Sequence, residues 1–519
     1  MGSKRQGRQP AASQRSLAAS LLALAAGASL VVGFAPFSLW FWVPLPLTVL
    51  YSLTRDAGWR RAGWLGGCFG AGQFGAGIFW VAESFQFSEI ALPYAIAATA
   101  ALVAFLALYP AVMAALVTQL RGGVTGGRLE ARVSLAWMWA AGWVLLEWVR
   151  GTAFGGFTWL EVGAAQTDGP LALWVPVVGV YGVGFLVCAL AALLGEAVRS
   201  RRRRALLALL LAGSAVGAGT LALREPEWTR PLGGELSVAL VQGNIPQDEK
   251  WRPGNRTRVL DAYLEESRKV WGDDLVVWPE TAVPGFLSEM GGYLLKVAGE
   301  AGARGSELLL GIPATAARTG LPVNAVLKLG GSDSGALYIK RHLVPFGEFI
   351  PLSDWVGPML RAIGIPAFRL SNFEAGPARQ TLMKVRGVPL GVSICYEVAF
   401  SGEVRRALPA AALLVNVSND AWFGDTIGPH QHLQMARMRA LESGRWLVRA
   451  TNTGITAVIG PDGRVRASAP QFETTVLESR VQPRVGATPF VAFGDAPWLT
   501  LIAVVGLGAA GVCRWRRRP

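Results

Sequence analysis

Three polar residues stand where apolar runs end, and together their types compose one reaction. Glu280 closes Val277-Trp278-Pro279-Glu280-Thr281, Lys340 closes Tyr338-Ile339-Lys340-Arg341-His342, and Cys395 closes Gly391-Val392-Ser393-Ile394-Cys395-Tyr396-Glu397. Strand ends are where layered sheet folds present reactive groups. A thiol attacks as its thiolate, and a carboxylate whose pKa is raised by burial can take its proton. A lysine can hold the negative charge that develops on a carbonyl oxygen under attack. Taken singly, each has a plainer reading: a buried cysteine is usually a small hydrophobe, and a Glu–Lys pair is usually a salt bridge. Cys395 has no cysteine near it in sequence, because Cys68 and Cys188 lie in apolar segments and Cys513 at the end of another. Disulfides therefore play no visible part.

The elements that must position these residues fall into two regimes. The 519-residue chain is 52% hydrophobic and only 16% charged, with a mean hydropathy of +0.37. A soluble domain carries about a quarter charged residues. The deficit is concentrated in 16–222 and 490–513, whereas 235–485 reads as an ordinary globular sequence. Within that block, short apolar runs bounded by Gly and Pro predict strands at 236–242, 275–278, 308–312, 326–329, 336–339, 389–394, 413–417, 446–450 and 455–459. Helical spacing appears at 256–272, 290–303 and 430–444. An α/β or α+β domain with layered sheets follows.

Apolar segments of spanning length recur at 16–34, 37–54, 62–82, 91–120, 133–150, 171–198, 203–222 and 492–513. Each is near or above the ~20 residues a helix needs to cross the hydrocarbon. Basic residues fall on one face if the N-terminus is cytoplasmic. These are Lys4, Arg5, Arg8 and Arg15, then Arg55, Arg60 and Arg61, then Arg121, Arg128 and Arg132. Arg199, Arg201–Arg204, Arg514 and Arg516–Arg518 complete the set. The opposite loops, at 35–36, 83–90 and 151–170, hold no lysine or arginine. The expected organisation is a basic tail at 1–15, seven spans in 16–222, a catalytic domain at 235–485 outside the cytoplasm, an eighth span in 490–513, and a basic tail at 514–519. The first span reads as an anchor in preference to a cleaved signal peptide. The net charge of +14 then reports positive-inside loops, not a nucleic-acid surface. Glycine pairs Gly63/Gly67 and Gly66/Gly70 predict close helix packing.

Trp278-Pro279-Glu280, the run from Lys340 to Glu348, and Ile394-Cys395-Tyr396-Glu397 occur in the order of the Glu–Lys–Cys blocks of the nitrilase (carbon–nitrogen hydrolase) superfamily, which they resemble over nearly all of 235–485. In its membrane frame the chain resembles the bacterial apolipoprotein N-acyltransferase family. Gly243-Asn244-Ile245-Pro246-Gln247, Lys250-Trp251, the run Asn416–Phe423, Glu147-Trp148-Val149-Arg150-Gly151 and Phe157-Thr158-Trp159-Leu160 carry that likeness. The resemblance implies an αββα sandwich on about eight spans of a bacterial inner membrane. It also implies a ping-pong transfer without cofactor. Cys395 would take an acyl chain from a phospholipid as a thioester and pass it to the amine of a diacylglyceryl-cysteine at a lipoprotein N-terminus. Glu280 is then general base and acid, and Lys340 the oxyanion partner. Glu348 and Glu397 are supporting groups, and the Tyr396 N–H is a further oxyanion donor.

Other features have weaker claims. Trp251, Trp422 and Phe423 could line an acyl path, and Arg150 could meet a headgroup or anchor a span end. Glu147, in a span, must face the bundle interior. The apolar segment 351–370, with Trp355, Val356, Met359, Leu360, Ile363, Ile365 and Phe368, reads either as a packed helix or as a lid at the interface. His430-x-His432 lacks a third ligand at a recognised spacing, so no metal is expected. His342 is expected to pack or hydrogen-bond near Lys340. A membrane-anchored amidase and a non-reacting receptor are the alternatives. An amidase needs one anchor, and a receptor has no use for the three residues in that order.

Overall fold

The computed structural model describes residues 9–88, 90–121, 129–200, 203–362 and 372–515. Several sequence features therefore lie outside the described residues: Lys4, Arg5, Arg8, Arg128, Arg201, Arg202 and Arg516–Arg518, with Ile363, Ile365 and Phe368 of the apolar segment.

The apolar runs fold as helices Gln9–Leu30, Pro44–Thr54, Trp59–Gly77, Leu92–Arg121, Leu129–Thr152, Val175–Ser200, Arg203–Ala222 and Ala496–Trp515. Among the described residues, five segments are long and apolar enough to cross a membrane: Gln14–Gly33, Leu92–Arg121, Pro170–Arg199, Arg203–Ala222 and Ala496–Arg514. A sixth follows if Trp59–Gly77 and Val81–Phe87, bent by 52°, count as one. Two expected spans are weaker. Segment 37–54 yields an 11-residue helix with proline in its first turn, short of ~30 Å of hydrocarbon at ~1.5 Å per residue. Segment 133–150 lies in the 24-residue helix Leu129–Thr152, where tryptophans, Glu147 and Arg150 lower the mean hydropathy. The glycine-rich helix packs as its small residues predict. A Cβ on Gly66 would lie 2.3 Å from the Pro110 carbonyl oxygen, and one on Gly72 2.0 Å from that of Leu24. The helices on either side thus approach at backbone distance.

The polar block builds two six-stranded sheets of matching plan. One runs, in spatial order, Thr475–Val481, Leu236–Gln242, Leu275–Val277, Glu307–Thr315, Pro322–Leu329, Leu337–Ile339. The other runs Val465–Ser468, Ala457–Ile459, Leu447–Thr451, Leu413–Ser418, Val388–Ile394, Lys384–Val385. Each has two central parallel ladders, 236–242 to 275–277 to 307–315 and 447–451 to 413–418 to 388–394, flanked by antiparallel ones. Because strand side chains alternate faces, Val238, Leu240, Val277 and Leu309 meet Ile394, Val415, Val417 and Val448 between the sheets. Ala239, Val241, Val276 and Trp278 turn outward against helices Arg256–Arg268 and Gly291–Ala303. Leu414 and Leu447 turn outward against helix Ile427–Ser443. The result is an αββα sandwich. The strands Thr475–Val481 and Val465–Ser468 were not legible as apolar runs, because their edge positions leave them polar and half-exposed.

The helix Ile427–Ser443 has a second partner. Ala436 and Ala440 cover the sheet, while Met435, Met438 and Leu441 join the core of the membrane part, together with Tyr396, Ala399 and Phe400. The sandwich is therefore packed onto the helices of the membrane part through the element beneath Cys395.

Candidate active site

Strand Val388–Ile394 ends one residue before Cys395, and the chain then turns sharply into a short helical turn, Cys395–Ala399. Cys395 takes a left-handed conformation, φ +50°, which a residue with a Cβ adopts only when its surroundings hold it there. The holding group is Glu397, fully buried. Its Oε2 accepts from Ile394 N at 2.7 Å and from the Tyr338 hydroxyl at 3.0 Å, and its Oε1 accepts from Arg341 N at 2.7 Å and His342 N at 3.2 Å. One carboxylate thus ties the cysteine turn to the backbone that follows Lys340.

Lys340, at the end of strand Leu337–Ile339, donates from Nζ to Glu348 Oε1 at 2.9 Å and to Glu280 Oε1 at 3.3 Å. Glu348 is fixed in turn by Val344 N, 2.8 Å from its Oε2. Glu280 receives Asn324 Nδ2 at 2.7 Å on Oε1 and Asn419 N at 3.0 Å on Oε2. Burial alone would lower the Lys340 pKa, but Glu348 and then Glu280 outweigh it and hold the ammonium above the ordinary lysine range. Burial pushes the Cys395 thiol up, and the Glu280 carboxylate adds to this against the pull of Lys340. The thiol is therefore neutral at rest, and Cys395 is only 8% exposed. The arrangement supplies a neutral thiol, a carboxylate and a permanently charged lysine within electrostatic reach of one another, the set needed for nucleophilic attack on a carbonyl.

The other candidates divide. Trp422 meets Phe87 edge-on at 5.6 Å and Phe423 meets Trp80 at 4.6 Å, so both pack on the membrane part. Trp251 is 50% exposed. Arg150 does not stand at an interface as an anchor would: it is 3% exposed. Its Nη1 donates to the carbonyls of Phe157 at 2.9 Å and Trp159 at 2.6 Å, and its guanidinium lies over Phe74. It shapes the loop after its helix. Glu147 does face inward, accepting from Val162 N at 3.0 Å and pairing with Arg150 at 3.5 Å. His342 stacks on Phe400 with centroids 3.7 Å apart, and its Nε2 lies 2.6 Å from the Gly155 carbonyl oxygen. His430 and His432 part company. His430 is half-buried, while His432 is fully buried beside Asp420. Cys395, Asp420 and His432 bring a sulfur, a carboxylate oxygen and a ring nitrogen within 4.8 Å. Arg449, which contacts both Asp420 and His432, already supplies positive charge there.

Sequence reasoning missed Asn324, Arg449 and the role of Trp159. Asn324 Nδ2 spans Glu280 and Glu348, at 2.7 and 3.2 Å, yet it sits mid-strand in an apolar run whose pattern gives no sign of it. An arginine inside the buried strand Leu447–Thr451 was the available signal for Arg449, since a buried guanidinium demands an acid.

The sandwich and its cysteine turn define a domain of the carbon–nitrogen hydrolase class, and residues 237–490 match the family model described as Carbon-nitrogen hydrolase. Residues 26–193 match a second model, Apolipoprotein N-acyltransferase N-terminal domain. The chain is 43% identical to the apolipoprotein N-acyltransferase of Methylococcus capsulatus, over 96% of each chain. It is 41% identical to that of Azotobacter vinelandii, over 95% of this chain and 94% of the relative. A solved CN-hydrolase superfamily protein from Xanthomonas campestris is 20% identical, covering 52% of this chain and 97% of that one at a TM-score of 0.35. The chain belongs to the apolipoprotein N-acyltransferase family.

Proposed function

We propose that this membrane protein is an acyltransferase that moves an acyl chain from a phospholipid to the N-terminal diacylglyceryl-cysteine of lipoproteins, through a thioester on Cys395. The observation that carries the reading is the array of Glu280, Lys340 and Glu348 beside a buried, neutral thiol on a left-handed turn. Glu280 takes the thiol proton as sulfur attacks the ester carbonyl. Lys340 and the Tyr396 N–H hold the oxyanion of the tetrahedral adduct. The carbon–oxygen bond then breaks, Glu280 returns the proton to the leaving oxygen, and a lysophospholipid departs. In the second half the lipoprotein α-amine attacks the thioester, Glu280 takes its proton, the carbon–sulfur bond breaks, and the proton returns to Cys395. Glu348 and Glu397 fix Lys340 and the turn.

The same reading has about eight spans, both termini in the cytoplasm and the sandwich outside. In support, the loops without lysine or arginine are those against the sandwich: Ala35 N donates to Gln434 Oε1 at 3.1 Å, and Asp168 pairs with Arg437. At the opposite helix ends Arg55 and Arg199 gather around Asp56. Leu352 and Trp355, the latter 82% exposed, suit a segment that meets the interface near the acyl chains. Trp251, Trp422 and Phe423 would line the approach.

The experiment is to incubate the purified chain with acyl-labelled phospholipid and examine the Cys395 peptide by mass spectrometry. An acyl mass released by hydroxylamine, absent from Cys395→Ala, is expected. A Cys395→Ala protein that still transfers acyl chains would end the proposal. For sidedness, a cysteine placed at the exposed Ala317 should react with an impermeant maleimide in intact spheroplasts.

A further inference from the structure

Behind the cysteine lies a buried group of charges that the acyl-transfer chemistry does not use. Asp420 Oδ2 accepts from Arg449 Nη2 at 2.7 Å, and Asp420 Oδ1 accepts from the Ser418 hydroxyl at 2.8 Å. The His432 ring lies against both: its Nδ1 is 3.0 Å from Asp420 Oδ1 and 3.0 Å from Arg449 Nη2. Its other nitrogen, Nε2, is 3.1 Å from the main-chain carbonyl oxygen of Cys395. A carbonyl oxygen can only accept, so this contact is a hydrogen bond only if Nε2 carries a proton. Arg449 makes that arrangement possible, because its Nη2–H can donate to a bare Nδ1. Burial, and then the neighbouring guanidinium, favour the neutral ring over the opposing pull of the Asp420 carboxylate.

The Cys395 carbonyl matters because it belongs to the peptide unit that ends in the Tyr396 N–H. Peptide units are planar, so whatever fixes that oxygen also aims that N–H. Glu397 holds the turn from its entry side, at Ile394 N. The ring of His432 holds it from the other.

We propose that His432 is a positioning residue: held at Nδ1 by the Arg449 guanidinium, it donates from Nε2 to the Cys395 carbonyl and so fixes the left-handed turn and the direction of the Tyr396 N–H. The inference rests on Cys395 being the nucleophile. Arg449, itself fixed by Asp420 Oδ2 at 2.7 Å, sets the ring's orientation and tautomer.

Two readings test it on the full-length protein in detergent. The chain has three histidines, so ¹⁵N-histidine labelling yields three rings, assigned by removing His342 and His430 in turn. A proton on Nε2 of His432 at pH 7 is expected; a bare Nε2 overturns the proposal. The second compares His432→Gln, whose amide reaches the Nε2 position, with His432→Asn, which reaches only Nδ1. Asn is one methylene shorter and leaves the larger void, so the melting temperature of each variant is measured beside its rate, and a rate loss that only follows the loss of stability counts as structural and overturns the proposal. Thioester formation in a single turnover should stay within about threefold for His432→Gln and fall about tenfold or more for His432→Asn, the rate equivalent of one lost buried hydrogen bond. The phospholipid concentration for half-maximal rate should be unchanged in both. Equal rates in the two variants, or a loss carried by that concentration, overturns the positioning role while leaving the thioester intact. Absence of any adduct in the parent chain overturns the function instead.

Discussion

Trp159, on a loop of the membrane part, stacks on Tyr396, the residue after Cys395, with ring centroids 5.6 Å apart and planes 17° from parallel. The same loop receives the Tyr396 hydroxyl, which donates to the Gly156 carbonyl at 2.8 Å. Arg150 in turn holds the loop through the Phe157 and Trp159 carbonyls. The membrane part therefore does more than tether the sandwich: it grips the residue whose N–H is proposed to meet the oxyanion. Tyr396→Phe keeps the stack and loses one hydrogen bond, worth ~1 kcal/mol. A melting temperature lowered by a few degrees and a small loss of rate are expected. Trp159→Ala removes the stack and opens a cavity, about 3–5 kcal/mol by the usual range for large aromatic residues. Thioester formation should fall at least about tenfold. Equal rates in the two variants would show that the clamp does not act on the reaction.

Glu280 raises the thiol pKa as well as serving as the proposed base, and Glu280→Gln separates the two effects. Burial keeps the thiol pKa up in either protein, but the added push of the carboxylate is gone from the variant. The thiolate should then form at lower pH. Alkylation of Cys395 by iodoacetamide, followed against pH, should set in at lower pH in Glu280→Gln, while acyl transfer falls by about 10²–10⁴. A variant that loses transfer with an unchanged alkylation profile would remove Glu280 from the thiol's surroundings.

Lys340 is enclosed by two carboxylates, and Lys340→Met leaves Glu280 and Glu348 facing each other with only Asn324 Nδ2 between them. Removing one partner of a buried ion group costs about 3–5 kcal/mol. The variant should melt well below the parent and form no thioester. Lys340→Met together with Glu348→Gln should recover much of the stability without recovering activity, which calorimetry and the adduct assay would report separately.

What the sequence revealed follows from how each feature is written along the chain. The inner strands were legible because both of their faces are buried: Leu413–Ser418 is covered by the other sheet on one side and by helix Ile427–Ser443 on the other, so it reads as a continuous apolar run. Glu280, Lys340 and Cys395 were legible because each interrupts such a run at its end. Thr475–Val481 was not, since an edge strand with a solvent face has no such run to interrupt. Asn324, His432 and Arg449 were hidden for a different reason. Their partners, at Glu280, Cys395 and Asp420, are 44, 37 and 29 residues away, and only folding sets them side by side. The contact of Trp159 with Tyr396 belongs to the same class, because it joins two parts of the chain that composition assigns to different solvents.

Lys250 offers a test of burial at the edge of the site. Its Nζ donates to Thr281 Oγ1 at 2.8 Å and to the Glu280 carbonyl at 3.3 Å, bracing the turn that carries the proposed base. Burial lowers its pKa to about 8 against the opposing pull of Glu280. Below about pH 8 the lysine is protonated in both folded and unfolded chains, and the full penalty of burying its charge is present. Between that pH and about 10.4, the ordinary lysine value, the unfolded chain holds a proton that the folded one has released. Stability contributed at this position therefore rises with pH across that window. Lys250→Met has no such dependence. The difference in unfolding free energy between parent and variant should shift towards the parent by up to about 3 kcal/mol from pH 7 to pH 10. Denaturant melts of both proteins at a series of pH values measure it, and a difference that stays flat across the window would mean that Lys250 titrates as an ordinary surface lysine.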